Sequence, residues 1–283
     1  MKDKPLRIPG SLVTLPIRGK GRPLDGFLAH GSRLKRKLLI LVHGMGGNFY
    51  RSRFRKELLL QSRTGAFDAL SFSNRGSDAD VAHEKFRDCA EDIDAAIRLG
   101  KAMGYREFVL MGHSTGCQKV TYYQAVRKNL AVKALILGSI GDDMAISRRR
   151  LKRGYDGWIR HARKLVARGR GNLILPPACM GFSAARFLSC ADPRHLEAQL
   201  LNFDGAFTYF RRIRKPVLVL MGDAEEHACI PVEEMIERLR RVTRARRFDG
   251  MVIAGGDHGF HGKEKETARA VYRWLGKLTT NSH

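Results

Sequence analysis

Hydrophobic residues cluster into short runs rich in valine, isoleucine and leucine, and these runs alternate with segments of helical periodicity. Six runs predict buried strands: KLLILVH (37–43), FDALSFS (67–73), FVLMGH (108–113), VKALILGS (132–139), PVLVLMG (216–222) and FDGMVIAGG (248–256). Such runs are typical of strands covered on both faces. Helical patterns lie at about residues 50–63, 84–103, 115–129, 231–244 and 264–277. This alternation predicts an α/β fold with a mostly parallel central sheet flanked by helices.

The first 30 residues carry a different pattern. Short β-prone runs flank a stretch rich in turn residues, RGKGRP (18–23). We therefore expect an antiparallel hairpin at the edge of the sheet.

The strand rhythm is absent from residues 141–215. A loop of that length without structure of its own is uncommon in a compact domain. We expect a single α/β domain spanning residues 1–283, with residues 142–212 inserted as a helical cap over the ligand pocket. The basic run 147–170 lies within this segment and carries ten Arg or Lys residues and one acid.

Length and composition set limits on the class of protein. The 283 residues, 43% of them hydrophobic, are enough for one full core. No run is apolar enough for a transmembrane helix or a secretion signal, so we expect a cytoplasmic protein. The five scattered cysteines have neither the CxxC pattern nor zinc-ligand spacing, so we expect free thiols and no metal or organic cofactor.

The net charge of +24 would attract anions. It is spread along the chain, however, and no recognised nucleic-acid module is visible. We expect no nucleic-acid partner and attribute the charge mainly to solubility, although the run 147–170 can attract anionic substrates. The sequence leaves the oligomeric state open.

The stretch FVLMGHSTGCQK (108–119) places G-x-S-x-G where a predicted strand ends and a helix begins. In that context the pattern is the signature of a nucleophile elbow, a sharp turn that exposes the serine hydroxyl. Gly112 and Gly116 leave room for close backbone approaches, because they have no Cβ. The following helix directs its positive end at the reacting oxygen. We expect Ser114 to be the nucleophile and His113 to pack beside the site or line it.

A serine nucleophile needs a base, and the base needs an orienting acid. With this elbow the order along the chain is serine, acid, histidine. The segment GGDHGF (255–260) follows the last predicted strand, which makes His258 the expected base and His261 the alternative.

Four carboxylates are candidates for the acid. Asp223, Glu225 and Glu226 follow the run PVLVLMG, and Asp142 follows an earlier strand. We favour Glu225, because it lies one short turn beyond its strand, and the other three stay open.

Two backbone amides are needed to stabilise an oxyanion. Thr115, the residue after the nucleophile, should supply one. The loop HGMGG (43–47) follows an earlier strand, and its Met45 is the expected second donor. This loop has neither the P-loop pattern nor G-x-G-x-x-G, so a phosphate-binding role is not favoured.

Together the HG, G-x-S-x-G, acid and histidine motifs resemble the α/β hydrolases over residues 43–258. LVHGMGGNFY, SNRGSD, MGHSTGCQ and FSAARFLSCADP further resemble a family that includes fungal siderophore esterases and uncharacterised relatives. The resemblance implies hydrolysis of esters in hydroxamate siderophores, with Ser114 as nucleophile, His258 as base and Glu225 as acid. The chain departs from that family at the acid, where aspartate and a shorter step to the proline, here Pro231, are usual.

The sequence therefore predicts a serine hydrolase that cleaves a carboxylic ester of a small molecule, siderophore-type and anionic esters included, through an acyl-enzyme. A thioesterase, amidase or acyltransferase would use the same machinery. A non-catalytic protein that binds anionic ligands is the alternative from another class. The charge favours it, and the intact serine, histidine and acid candidates argue against it.

Overall fold

The computed structural model describes residues 6–18, 21–31 and 35–280. Its strands are β1 (Gly10–Leu15), β2 (Leu24–Ala29), β3 (Lys37–Val42), β4 (Asp68–Phe72), β5 (Glu107–His113), β6 (Val132–Gly138), β7 (Val217–Gly222) and β8 (Phe248–Ile253). They form one sheet in the order β1-β2-β4-β3-β5-β6-β7-β8. Strands β3 to β8 are parallel, which confirms the six predicted runs.

The predicted edge hairpin is also confirmed. Strand β1 pairs with β2 in antiparallel register, and β2 pairs in the same sense with β4. Gly19 and Lys20, in the middle of the predicted turn, lie outside the described residues.

Helices cover both faces of the sheet and fill the segment between β6 and β7. They are α1 (Arg53–Gln61), α2 (Cys89–Ala102), α3 (Gly116–Arg127), α4 (Asp143–Leu151), α5 (Tyr155–Ala167), α6 (Ala184–Ala191), α7 (Leu196–Gln199), α8 (Val232–Val242) and α9 (Glu264–Thr280). Within the described ranges, every helix is too short or too polar to cross a bilayer.

Two apolar layers explain why the strands read as continuous hydrophobic runs. In β3, Leu38 and Ile40 pack into the layer under α2, α3 and α8, whereas Leu39 and Leu41 pack into the layer under α1 and α9. Side chains alternate across a strand, so a strand buried on both faces needs an apolar residue at every position.

The segment between β6 and β7 contains helices α4 to α7 and has a small core of its own. Tyr155, Ile159 and Leu165 on α5 are buried in this cluster with Phe187 on α6. Met45, in the loop after β3, packs against the same cluster. This contact places the segment next to the loop that carries the expected oxyanion donor, and the boundary 142–212 stays a prediction.

A buried ionic network joins this segment to the helices of the main sheet. Arg186 on α6 is fully buried and donates to Glu84 at 3.0 Å and to Glu197. Lys119 on α3, also fully buried, pairs with Glu84 at 2.5 Å. Removal of one member of a buried ion pair leaves an uncompensated charge, which costs far more than loss of a surface pair.

We therefore expect Arg186→Met to lower the free energy of unfolding by about 3–5 kcal/mol, because Glu197 would lose its buried cation and Glu84 would keep only Lys119. Arg194→Met is the matched control: this arginine is exposed and lies 3.5 Å from Asp192, so its loss should cost under about 1 kcal/mol. Equilibrium urea denaturation of both variants provides the comparison. Equal losses would contradict the role assigned to the network.

Candidate active site

Ser114 lies on a strained turn between β5 and α3. Its φ is +57°, a left-handed conformation that residues other than glycine seldom adopt. The Ser114 N–H donates to the carbonyl of Gly138 at the end of β6, at 3.0 Å. Such strain is concentrated at functional sites, and here it is the conformation that the G-x-S-x-G pattern predicts.

Glycines are required where other backbone segments pass this turn. A Cβ on Gly112 would lie 2.3 Å from the carbonyl oxygen of Gly116, and a Cβ on Gly116 would lie 2.2 Å from that of Val42. A Cβ on Gly44 would lie 2.7 Å from Cβ of Ser114 and 3.1 Å from its Oγ. The loop after β3 therefore passes directly against the serine side chain.

His258 and Glu225 meet across the loops that follow β8 and β7. The Nδ1–H of His258 donates to Oε1 of Glu225 at 2.7 Å, and the same oxygen accepts the N–H of His227 at 3.1 Å. The carboxylate of Glu225 is fully buried. Because Nδ1 is held by the carboxylate, Nε2 is the ring nitrogen that remains for proton transfer.

The two neighbouring carboxylates contact backbone and not the imidazole. Glu226 accepts the backbone N–H of His258 at 2.9 Å, and Asp223 accepts the N–H of Gly255 at 2.7 Å. Both contacts hold the loop after β8 in place. Among the described residues, Glu225 alone of the four acid candidates reaches the ring of His258.

The remaining candidates lie elsewhere. Asp142 caps α4 through the N–H of Ala145 and also accepts the N–H of Phe203, each at 2.9 Å. His261, the alternative base, borders the same cavity as Ser114, but its ring is exposed and bonded to Asp257 at 2.8 Å.

Ser114 and His258 border one cavity of about 480 Å³. Among the hydrogen bonds of the described residues, none joins Ser114 Oγ to His258 Nε2. The structure thus brings His258 and Glu225 into direct contact and brings the serine to the same cavity. Hydrogen bonds of this kind are often long before substrate binds and tighten in the complex.

The two expected oxyanion donors are available. Within the described part of the chain, the N–H groups of Met45 and Thr115 donate to no protein acceptor. The buried ring of His43 holds the loop after β3, which contains Met45. Its Nδ1–H donates to the Gly44 carbonyl at 2.7 Å, and its Nε2 accepts the Asn74 N–H at 3.0 Å. Sequence reasoning missed this role, although the His-Gly pair marked the position.

The two imidazoles beside the site, the buried ring of His43 and the partly buried ring of His113, are neutral. Burial, followed by the charges of Lys119 and Arg55, holds the pKa of His43 well below its usual value. Burial, followed by the charges of His258 and Arg55, lowers the pKa of His113 to about 3. His113 lines the cavity as expected, and its Nε2–H also donates to the backbone carbonyl of His258 at 2.8 Å, a contact that sequence reasoning missed.

Within the described residues, no group of three or more His, Cys, Asp or Glu side chains is arranged to hold a metal ion.

Comparison with models of protein families assigns the chain to one family. Residues 31–275 match the model of a family described as protein of unknown function (DUF1749). The chain belongs to this family. A search of curated proteins gave no match.

Solved structures show the fold of this DUF1749 protein. The siderophore hydrolase EstB from Aspergillus fumigatus superposes with a TM-score of 0.73 at 18% identity, covering 97% of this chain and 98% of that one. Est1E from Butyrivibrio proteoclasticus gives 0.66 at 16% identity, with 95% and 99% covered. A monoacylglycerol lipase from Paleococcus ferrophilus gives 0.63 at 22% identity, with 90% and 99% covered. The predicted α/β-hydrolase fold is confirmed.

The neutral state of His113 predicts acid sensitivity of the DUF1749 protein. Below pH about 6.5 the unfolded chain binds a proton at this residue that the folded chain does not bind until about pH 3. The free energy of unfolding should therefore fall with decreasing pH in that window, by up to about 1.4 kcal/mol per pH unit for each such histidine. His113→Gln, which keeps a donor for the His258 carbonyl, should make the dependence shallower. Denaturation curves between pH 6.5 and 4.5 test this, and an unchanged slope would contradict it.

Proposed function

We propose that the protein is a serine hydrolase that cleaves carboxylic esters of small molecules through an acyl-enzyme. One observation carries the proposal: the hydrogen-bonded pair of His258 and Glu225 borders the same cavity as the strained Ser114. This is the arrangement of nucleophile, base and orienting acid that acyl transfer requires.

In the proposed reaction, Ser114 Oγ attacks the ester carbonyl and His258 Nε2 takes the hydroxyl proton. The tetrahedral oxyanion then receives hydrogen bonds from the amides of Met45 and Thr115. The imidazolium returns its proton to the leaving alcohol, which leaves the acyl group on the serine. Water, activated by the same imidazole, releases the acid and restores the enzyme.

Glu225 would hold the imidazole in the tautomer that leaves Nε2 free and would stabilise the imidazolium. The backbone of His258 has two further supports, Glu226 at its N–H and His113 at its carbonyl. These contacts fix the position of the base without using its ring.

Siderophore-type esters are one candidate substrate class. The support is the resemblance of the motifs and of the whole fold to EstB, which is named as a siderophore hydrolase. The similar structures also include a monoacylglycerol lipase, so the common element is an ester bond and not one particular acid or alcohol.

Ser114→Ala removes the proposed nucleophile. We expect kcat/KM for 4-nitrophenyl butyrate to fall by at least about 10⁴-fold, with the fold unchanged by circular dichroism. Hydrolysis at the wild-type rate would contradict the proposal.

The neighbouring carboxylates of Glu225 and Glu226 allow a matched test of which one orients His258. Glu225→Gln should lower kcat by about 10³–10⁴-fold, because an amide nitrogen facing Nδ1 favours the wrong tautomer. Glu226→Gln keeps an oxygen for the backbone N–H of His258 and should cost less than about tenfold. Steady-state kinetics on the same ester decide between them. A larger loss for Glu226→Gln would reassign the acid.

A further inference from the structure

One wall of the cavity at Ser114 is cationic. The start of α1 and the loop before it contribute Arg51, Arg53 and Arg55 to the lining. Among the described residues that line this cavity, none is acidic. A small cavity with cations on one wall and no anion of its own favours a negatively charged ligand.

Two of these arginines already have partners. Arg51 pairs with Asp78 at 2.8 Å and Arg53 with Glu57 at 3.0 Å. Their side chains are 67% and 59% exposed, and exposed ion pairs of this kind contribute little energy. They add to the positive electrostatic potential of this wall, but by themselves they do not indicate an anion-binding site.

Arg55 is different because it is buried without an acid. The residue is only 8% exposed, and one of its nitrogens donates to the Asn48 carbonyl. Within the described part of the chain, its other guanidinium N–H groups have no protein acceptor and no carboxylate pairs with it. A buried cation without a counter-charge is costly, so a bound anion would relieve that cost.

The charge of Arg55 persists next to the reacting groups. Burial lowers the pKa of its guanidinium to about 10, which leaves the group protonated at neutral pH. Its charge also contributes to the lowered pKa values of both His43 and His113.

The N-terminus of α1 adds to the same wall. Ser52 caps this helix by accepting the N–H of Arg55 and also lines the cavity. The first turn of α1 contains no acidic residue that would offset the positive end of its dipole. A buried guanidinium and a helix N-terminus therefore meet at one end of the cavity, a combination suited to anions.

We propose that this wall is a carboxylate subsite, and that the substrate is an ester bearing a second, free carboxylate that Arg55 binds. The inference rests on the proposed function and specifies its substrate class. A guanidinium presents its N–H groups as a planar fork that matches the two oxygens of a carboxylate.

The basic run 147–170 does not supply this selectivity. Arg149 donates to the carbonyls of Glu226 and Ala228, and Arg150 donates to that of Pro177. None of the residues 147–170 lines the described cavity. The arginines at the start of α1 are therefore better placed to bind an anionic substrate than the residues of this run, which we expected to attract one.

Matched esters test the subsite. Hydrolysis of 4-nitrophenyl hydrogen adipate is compared with that of 4-nitrophenyl methyl adipate, and the butyrate ester of 3-hydroxybenzoate with that of methyl 3-hydroxybenzoate. The first pair places the carboxylate on the acyl side and the second on the alcohol side. In at least one pair, the wild-type kcat/KM should be at least tenfold higher for the anionic ester, mainly through KM.

Variants then test whether Arg55 causes the preference for anionic over neutral esters. Arg55→Met should lower the anionic-to-neutral ratio of kcat/KM by at least tenfold, and Arg55→Lys by less, because it keeps the charge without the fork. Arg63→Met, at an exposed position just past the end of the same helix, should leave the ratio unchanged. A wild-type ratio near one in both pairs, or a ratio that Arg55→Met does not alter, would overturn the subsite.

Binding to the full-length Ser114→Ala protein separates this inference from the proposed function. Calorimetry should detect adipate at concentrations where adipamide does not bind. Equal binding of both would overturn the subsite even if esters are hydrolysed. Tighter binding of phenyl phosphate than of adipate would overturn the choice of carboxylate. Unimpaired hydrolysis by Ser114→Ala would instead contradict the proposed function, while the adipate result would stand alone.

Discussion

Three backbone segments approach each other at Ser114 more closely than any side chain would allow. Gly116 lies against the carbonyl of Val42, Gly112 lies against Gly116, and Gly44 lies against the serine itself. The left-handed turn at Ser114 lies within this crowded region, where the loop after β3 passes the start of α3. Ser114, the start of α3 and the backbone amides of Met45 and Thr115 therefore lie together at the carboxyl edge of the sheet, where ligands bind in open α/β folds.

The opposite side of the cavity depends on a second close approach. A Cβ on Gly222 would lie 1.9 Å from the carbonyl of Gly256, so the loops after β7 and β8 emerge in contact. Glu225 then meets the imidazole of His258 without a long excursion of either loop. The neutral rings of His43 and His113 add no charge of their own, and the arginines that make one wall of the cavity cationic come from the start of α1 and the loop before it.

Local patterns were sufficient to predict much of this arrangement. The apolar runs predicted the parallel strands, and G-x-S-x-G with its flanking elements placed Ser114, because both signals arise from neighbouring residues. Glu225 was favoured over Asp223 and Glu226 by spacing alone. Which group each of these three carboxylates contacts depends on how the loop folds, and spacing in the sequence does not determine that.

The contacts of His113 and Arg55 could not be predicted from local patterns. The contact of His113 with the His258 carbonyl joins residues 145 positions apart, and the burial of Arg55 depends on a loop folding over it. In the sequence, Arg55 is indistinguishable from any other arginine in a helix.

The central claim is that Ser114 is a nucleophile activated by His258. Reaction with a fluorophosphonate, followed by digestion and mass spectrometry, tests it most directly, because the reagent forms a stable adduct only with an activated hydroxyl. The account predicts a single modified peptide containing Ser114, and slow or absent modification in His258→Ala. An unmodified wild-type protein, or an adduct on another residue, would contradict it.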